Sequence, residues 1–93
     1  MYRYEFAPLA NKRLDKLARR NPQQAKAILR KIRWLAEHAD EIAHQPIKGS
    51  PYFSLHSGFY RIPYRLDPVN RVIRIEDIAQ HDTAYDRINR LRD

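Results

Sequence analysis

Between Gly58 and Leu66 the chain alternates strictly. Tyr60, Ile62, Tyr64 and Leu66 fall on one side, and Arg61, Pro63 and Arg65 on the other. A period of two is the signature of a β-strand with one face in a core. Such a strand is not stable alone, so it requires partner strands and a layer that covers its apolar side. Its second face carries two permanently charged guanidinium groups. A planar donor fork held on a rigid strand suits a phosphate, although the same pattern also reads as a solvated strand face. Pro63 adds a condition: without an N–H it places the strand at an edge, at a bulge, or unpaired at that point.

The segments around this strand supply the rest of the fold. Tyr2–Phe6 alternates aromatic and charged residues and predicts a strand. Pro8 suits the first turn of a helix, whose apolar stripe reads Leu9, Leu14, Leu17 and Ala18. Asn21-Pro22 caps and restarts the chain. Ala25, Ile28, Leu29, Ile32, Leu35 and Ala36 then follow the i, i+3, i+4, i+7 pattern of a second helix. Trp34 lies off that stripe, either packed under a neighbouring loop or marking a surface for a partner. Asp40 to Ser50 reads as a loop, broken by Pro46 and Gly49-Ser50. Phe53 and Leu55 alternate with Tyr52, Ser54 and His56, and Ser57-Gly58 turns the chain into the Tyr60–Leu66 strand. Asp67-Pro68-Val69-Asn70 is a turn signal, leading into a third strand, Arg71–Ile78, with Ile73 and Ile75 pointing inward. Thr83–Arg92 predicts a short terminal helix carrying Tyr85, Ile88 and Leu91. The order β-α-α-β-β-β-α gives an α+β fold: a helical hairpin packed on a small, mostly antiparallel sheet, as one domain over residues 1–93.

Composition narrows the chemistry. With no cysteine in 93 residues, disulfides and thiolate zinc sites are excluded. The sequence has no stretch long and apolar enough for a membrane span and starts without the apolar region of a signal peptide, so a cytoplasmic protein is expected. His38 and His44 stand near Glu37, Asp40 and Glu41 without a recognisable ligand spacing, and neither a metal nor a cofactor is expected. The net charge of +7 is concentrated at one end: the first 35 residues hold ten Lys or Arg against Glu5 and Asp15. That asymmetry points to a polyanion or an acidic partner.

The run Lys48-Gly49, Leu55, Gly58-Phe59-Tyr60-Arg61-Ile62-Pro63-Tyr64, followed by Ile78-Ala79-Gln80-His81-Asp82-Thr83-Ala84-Tyr85, resembles the RelE/ParE superfamily of type II toxins. The resemblance covers nearly the whole chain. It implies one of two activities. RelE-like members cut mRNA at the ribosome without a metal, driving the RNA 2′-hydroxyl onto its own phosphate, whereas ParE-like members poison DNA gyrase and are not nucleases. A toxin fold that has lost activity and only binds its antitoxin is a further reading. By resemblance, Arg61 matches the phosphate-stabilising arginine and Tyr85 the tyrosine of the terminal helix. The lysines expected before the hairpin are replaced by Tyr52, Ser54 and His56, and His81 stands where many members have arginine. The expected nuclease site is therefore Arg61, His81, Tyr85 and His56 as catalytic groups, with Arg65, Lys48, Ser54 and Tyr52 toward the RNA. Both histidines also read as ordinary strand-end residues, Tyr85 as a packing residue, and Arg65 as a partner of Glu76 across the sheet. A cognate antitoxin, in a toxin–antitoxin hetero-oligomer, and the ribosome with its mRNA (or gyrase) are the implied partners.

Overall fold

Asn21 ends one helix and starts the next. The structure, a computed structural model, is described for residues 1–80. In it, α1 (Pro8–Arg20) and α2 (Pro22–His38) meet at this residue. The Asn21 N–H donates to the Leu17 carbonyl at 2.7 Å, while its side-chain oxygen accepts from the Gln24 N–H at 3.2 Å. One residue thus satisfies orphan groups of both helix ends. The inward stripe of α2 is the expected one, and Ile28, Ile32 and Leu35 are fully buried. In α1 the buried positions are Ala10 and Leu14, with Leu17 packed beside them; Ala18, expected inward, is exposed.

The helical hairpin covers one face of a six-stranded mixed sheet. Its strands are β1 (Arg3–Phe6), β2 (Gln45–Pro46), β3 (Phe53–Ser57), β4 (Tyr60–Asp67), β5 (Val72–Ile75) and β6 (Ala79–Gln80). They lie in the order β1-β5-β4-β3-β2, and β6 pairs with β4 off this path. β1 runs parallel to β5; the other pairs are antiparallel. The hairpin between β3 and β4 closes through Gly58-Phe59, with Gly58 at φ +60°, a conformation that glycine adopts without strain. Register places Leu55 opposite Ile62 and Tyr64 opposite Ile75, so these side chains enter the core under the helices. Burying each such aliphatic side chain contributes roughly 1.5–3 kcal/mol.

Two features differ from the sequence expectation. The segment between α2 and β3 is not wholly a loop: Gln45–Pro46 forms a two-residue edge strand, a place where proline is tolerated. The strand expected over Arg71–Ile78 is broken. From Tyr64 to Arg61 is three steps along β4, but from Ile75 to Ala79, their partners, is four, so one extra residue is inserted between β5 and β6. This bulge also accounts for Pro63. Its strand is central rather than at an edge, and Pro63 lies where the facing strand is interrupted, with its carbonyl accepting from the Glu76 N–H at 2.9 Å. The terminal helix expected over Thr83–Arg92 lies outside the described residues.

The bulge is pinned from the helical layer. Asp77, only 1% exposed, accepts from Arg13 of α1 at 3.1 and 3.3 Å and from the Ile78 N–H at 2.7 Å. Asp77 and Ile78 are therefore both buried, and beyond them Ala79 comes opposite Arg61.

Candidate functional site

The face of the sheet turned away from the helices is set by alternation along β3, β4 and β5. It carries Ser54 and His56 from β3, Arg61, Pro63 and Arg65 from β4, and Arg74 from β5. Register places His56 directly opposite Arg61 and Ser54 diagonally from it. Cross-strand neighbours of this kind have Cβ atoms about 5 Å apart. Three of the expected site residues are thus brought together on one rigid surface.

Their surroundings differ sharply. Arg61 is half-buried, its Nε is sealed from solvent, and among the described residues no hydrogen bond or ion pair meets its side chain. Ser54 is 8% exposed, and its Oγ likewise has no hydrogen-bond partner. A buried donor without an acceptor costs about 1–3 kcal/mol, and the site holds two such polar atoms, Arg61 Nε and Ser54 Oγ. His56 is exposed at the rim beside them.

Arg65, on the same face of the same strand, is fully engaged. Its Nη2 donates to the Tyr52 hydroxyl at 3.0 Å, its guanidinium lies 4.8 Å from the centre of the Tyr52 ring, and its Nε is 3.5 Å from Glu76. The bond to Tyr52, with the charge of Glu76 behind it, raises the pKa of this guanidinium further above its ordinary value. Glu76 also accepts from Arg74 at 3.2 Å, so one carboxylate separates two arginines that stand directly opposite each other on β4 and β5. Tyr52 is buried, in a small cluster with Ile47. It is a support for Arg65 and not an open contact for a ligand. Lys48 is exposed in the loop before it. His81 and Tyr85 lie outside the described residues.

Behind this face the core carries its own polar link. His44 bridges the Ala39 carbonyl (2.8 Å) and the Tyr64 hydroxyl (2.5 Å). A carbonyl only accepts, so His44 Nε2 donates to it, and Nδ1 is the ring atom that meets the Tyr64 hydroxyl. Burial pushes the Tyr64 hydroxyl pKa up to about 12. His38 stacks on Trp34 and bonds to its carbonyl. Among the described residues no three His, Cys, Asp or Glu are grouped to hold a metal ion, and no helix is long and apolar enough to cross a membrane.

The sequence reading named Glu76 as a partner of Arg65 but missed its second contact, with Arg74, and the Arg13–Asp77 clamp. A signal for the bulge, though not for the clamp, was present in the spacing: Ile73 and Ile75 are two apart, but Ile78 follows after three, which a regular strand does not allow.

A sequence model of the ParE toxin of type II toxin–antitoxin systems (parDE) matches residues 4–85. The chain belongs to this toxin family. No curated protein matches it in sequence. In structure the toxin is similar to the isolated RelE toxin of E. coli, with a TM-score of 0.71 at 14% identity, covering 98% of this chain and 99% of that one. The RelBE2 toxin–antitoxin complex of Mycobacterium tuberculosis gives 0.69 at 22% identity over 86% and 98% of the two chains. A YoeB/ParE toxin from Agrobacterium tumefaciens gives 0.71 at 15% identity over 85% and 98%. At these identities the likeness shows the fold, an α+β toxin fold of the RelE type. It does not choose between the activities.

Proposed function

We propose that this toxin is a metal-independent mRNA endonuclease that acts at the ribosome. The observation that carries the reading is Arg61: a half-buried, permanently charged side chain on a rigid strand, with no counter-charge among the described residues and an exposed histidine opposite. The attack of a 2′-hydroxyl on the adjacent phosphorus forms one P–O bond, breaks the bond to the 5′-oxygen, and passes through a phosphorane bearing extra negative charge. Arg61 stabilises that charge. One histidine takes the 2′ proton and a second returns one to the leaving 5′-oxygen; we assign these roles to His56 and His81. Tyr85 orients or stacks on the nucleotide, and the products are a 2′,3′-cyclic phosphate and a 5′-hydroxyl. Ser54 contributes a hydrogen bond to a phosphate oxygen and Lys48 a more distant cation. Arg65 and Tyr52 hold each other and frame the site.

The partner we propose is an antitoxin with an acidic amphipathic segment, as relatives were crystallised as toxin–antitoxin complexes. A groove of about 560 Å³ between α1 and the β4–β6 edge suits such a segment, with Leu17, Tyr60 and Ile78 along it and Lys16 and Arg20 at its side.

The second reading is a ParE-like gyrase poison acting in the cytoplasm without catalysis. It is favoured by the family model that matches and by Tyr52, Ser54 and His56 standing where the nuclease pattern has lysines. The two readings separate in one experiment. Purified toxin is added to translating ribosomes with mRNA ends mapped, and to a gyrase supercoiling assay in parallel. New mRNA ends with unaffected supercoiling are expected; intact mRNA with blocked gyrase overturns the nuclease reading.

A further inference from the structure

Phe59 stands at the tip of the β3–β4 hairpin and is 88% exposed, more than any other aromatic side chain among the described residues. The turn has two residues, and of these only Gly58 has a positive φ, the arrangement of a type II′ hairpin turn with glycine first. Its second position is usually held by a polar residue. Phe59 takes no part in the core, so its ring adds nothing to the burial that holds the sheet together. The turn itself is braced. A Cβ built on Gly58 would lie 3.7 Å from the Gln24 side chain, so the tip rests on the first turn of α2.

Exposure alone carries nothing. Val69 is equally exposed in the turn at the other end of β4, but its neighbour there is a carboxylate, Asp67, which accepts from the Val69 N–H at 3.1 Å. Around Phe59 the charges are of one sign. Ser57 and Tyr60 close the hairpin, and the next cross-strand pair is His56 with Arg61. Phe59 therefore precedes Arg61 by two residues, about 7 Å of strand. No Asp or Glu occurs from Ile42 to Leu66. The other elements that reach the tip bring neutral amides, Gln24 from α2 and, opposite Tyr60, Gln80 from β6. An open ring beside a cation, without an acid, is the pairing by which proteins hold single-stranded nucleic acid: the cation takes the phosphate, and the ring face takes a base of any identity.

We propose that Phe59 stacks on a base of the RNA, next to the phosphate held by Arg61. This stacking role rests on the endonuclease reading and gives that site a base contact from the described residues, where Arg61, Ser54 and Lys48 meet only the backbone. A stacked ring does not read hydrogen-bonding edges, so Phe59 sets where the RNA lies and how tightly, and does not select one base.

Two single-stranded octamers separate base from backbone: deoxyadenylate, which lacks the 2′-hydroxyl and stays uncut, and a chain of stable abasic sugars with the same phosphates. The parent toxin is expected to bind deoxyadenylate about tenfold more tightly than the abasic chain. Phe59→Ser, a change at an exposed position, should close that gap and leave the abasic affinity as it was, whereas Phe59→Tyr keeps the gap. Arg61→Ala should weaken both octamers alike. Equal binding of the two octamers by the parent toxin, binding of neither, or a gap that survives Phe59→Ser overturns the inference. The ribosome assay keeps the two failures apart. No new mRNA ends with the parent toxin removes the endonuclease reading and the stacking role with it, while new ends together with a surviving gap remove the stacking role alone.

Discussion

Arg61 and Arg65 occupy the same face of β4, four residues apart, yet they live under different conditions. Arg65 is more than half exposed and still has a hydroxyl, an aromatic ring and a carboxylate arranged around it. Arg61 is the more deeply set of the two, and nothing among the described residues compensates it. Desolvating a cation without a partner is costly, and proteins normally avoid it. The contrast teaches that charge alone does not mark a site on a basic surface. The mark used for Arg61 is a charge whose burial no described residue repays.

The largest effect expected from this contrast is on activity. Arg61→Ala should lower mRNA cleavage, and with it growth arrest, by about 100-fold or more, the scale for removing one donor to a developing oxyanion. Its melting temperature should stay level or rise, since an unsatisfied buried donor is removed with it. A fall in stability comparable to that of a core substitution would mean that Arg61 is structural after all. Arg13→Ala makes the opposite case, a half-buried arginine that is repaid. Stranding the buried Asp77 carboxylate should cost about 3 kcal/mol of unfolding free energy in denaturant titration, the lower end of the range for a broken buried pair because Arg13 is partly exposed.

On the helix-facing side of β4, Tyr64 supplies a pH signature. The native state holds the hydroxyl proton up to a pKa of about 12, while the unfolded chain releases it near 10.0. Rising pH therefore favours unfolding: the contribution is intact below about pH 10 and lost by about pH 12, amounting to about 2–3 kcal/mol. Comparing Tyr64→Phe with the parent chain across that range isolates the effect, because the phenylalanine variant lacks this part of the slope. Arg65→Ala should have the smallest consequence, about 1 kcal/mol, since exposed pairs are weak; its cleavage activity should fall severalfold at most, through looser packing of Tyr52.

These outcomes also bear on what the amino-acid pattern revealed. Alternation in Gly58–Leu66 and the stripe of α2 were legible because burial of one face imposes a period, and the periods survive in the fold. The pairing of Arg65 with Glu76 was legible as a cross-strand possibility. The bulge showed only in the uneven spacing of Ile73, Ile75 and Ile78 and in the interruption that Pro63 asked for; the clamp that pins it joins Asp77 to Arg13, 64 positions away in sequence. No local signal encodes that distance. For the same reason the pattern placed Tyr52, Ser54, His56, Arg61 and Arg65 on one face, with Arg61 and His56 as catalytic groups and the others toward the RNA. That Arg65 and Tyr52 are committed to each other depended on Glu76 and on the packing of Tyr52 beside Ile47, both tertiary facts. Trp34 was recognisable only as an outlier from its helix's stripe, and its flanking by Lys31 and His38 required the folded helix.

The most direct test of the central claim compares the two guanidinium groups in one sample. The Nε–H signals of Arg61 and Arg65 are followed by NMR while a non-cleavable RNA, 2′-deoxy at the position of attack, is titrated into the toxin. The account predicts that the Arg61 signal shifts as an anion meets the accessible part of its guanidinium, while that of Arg65 stays close to its starting position. Movement of Arg65 alone, or of neither signal at RNA concentrations that saturate binding, would contradict it.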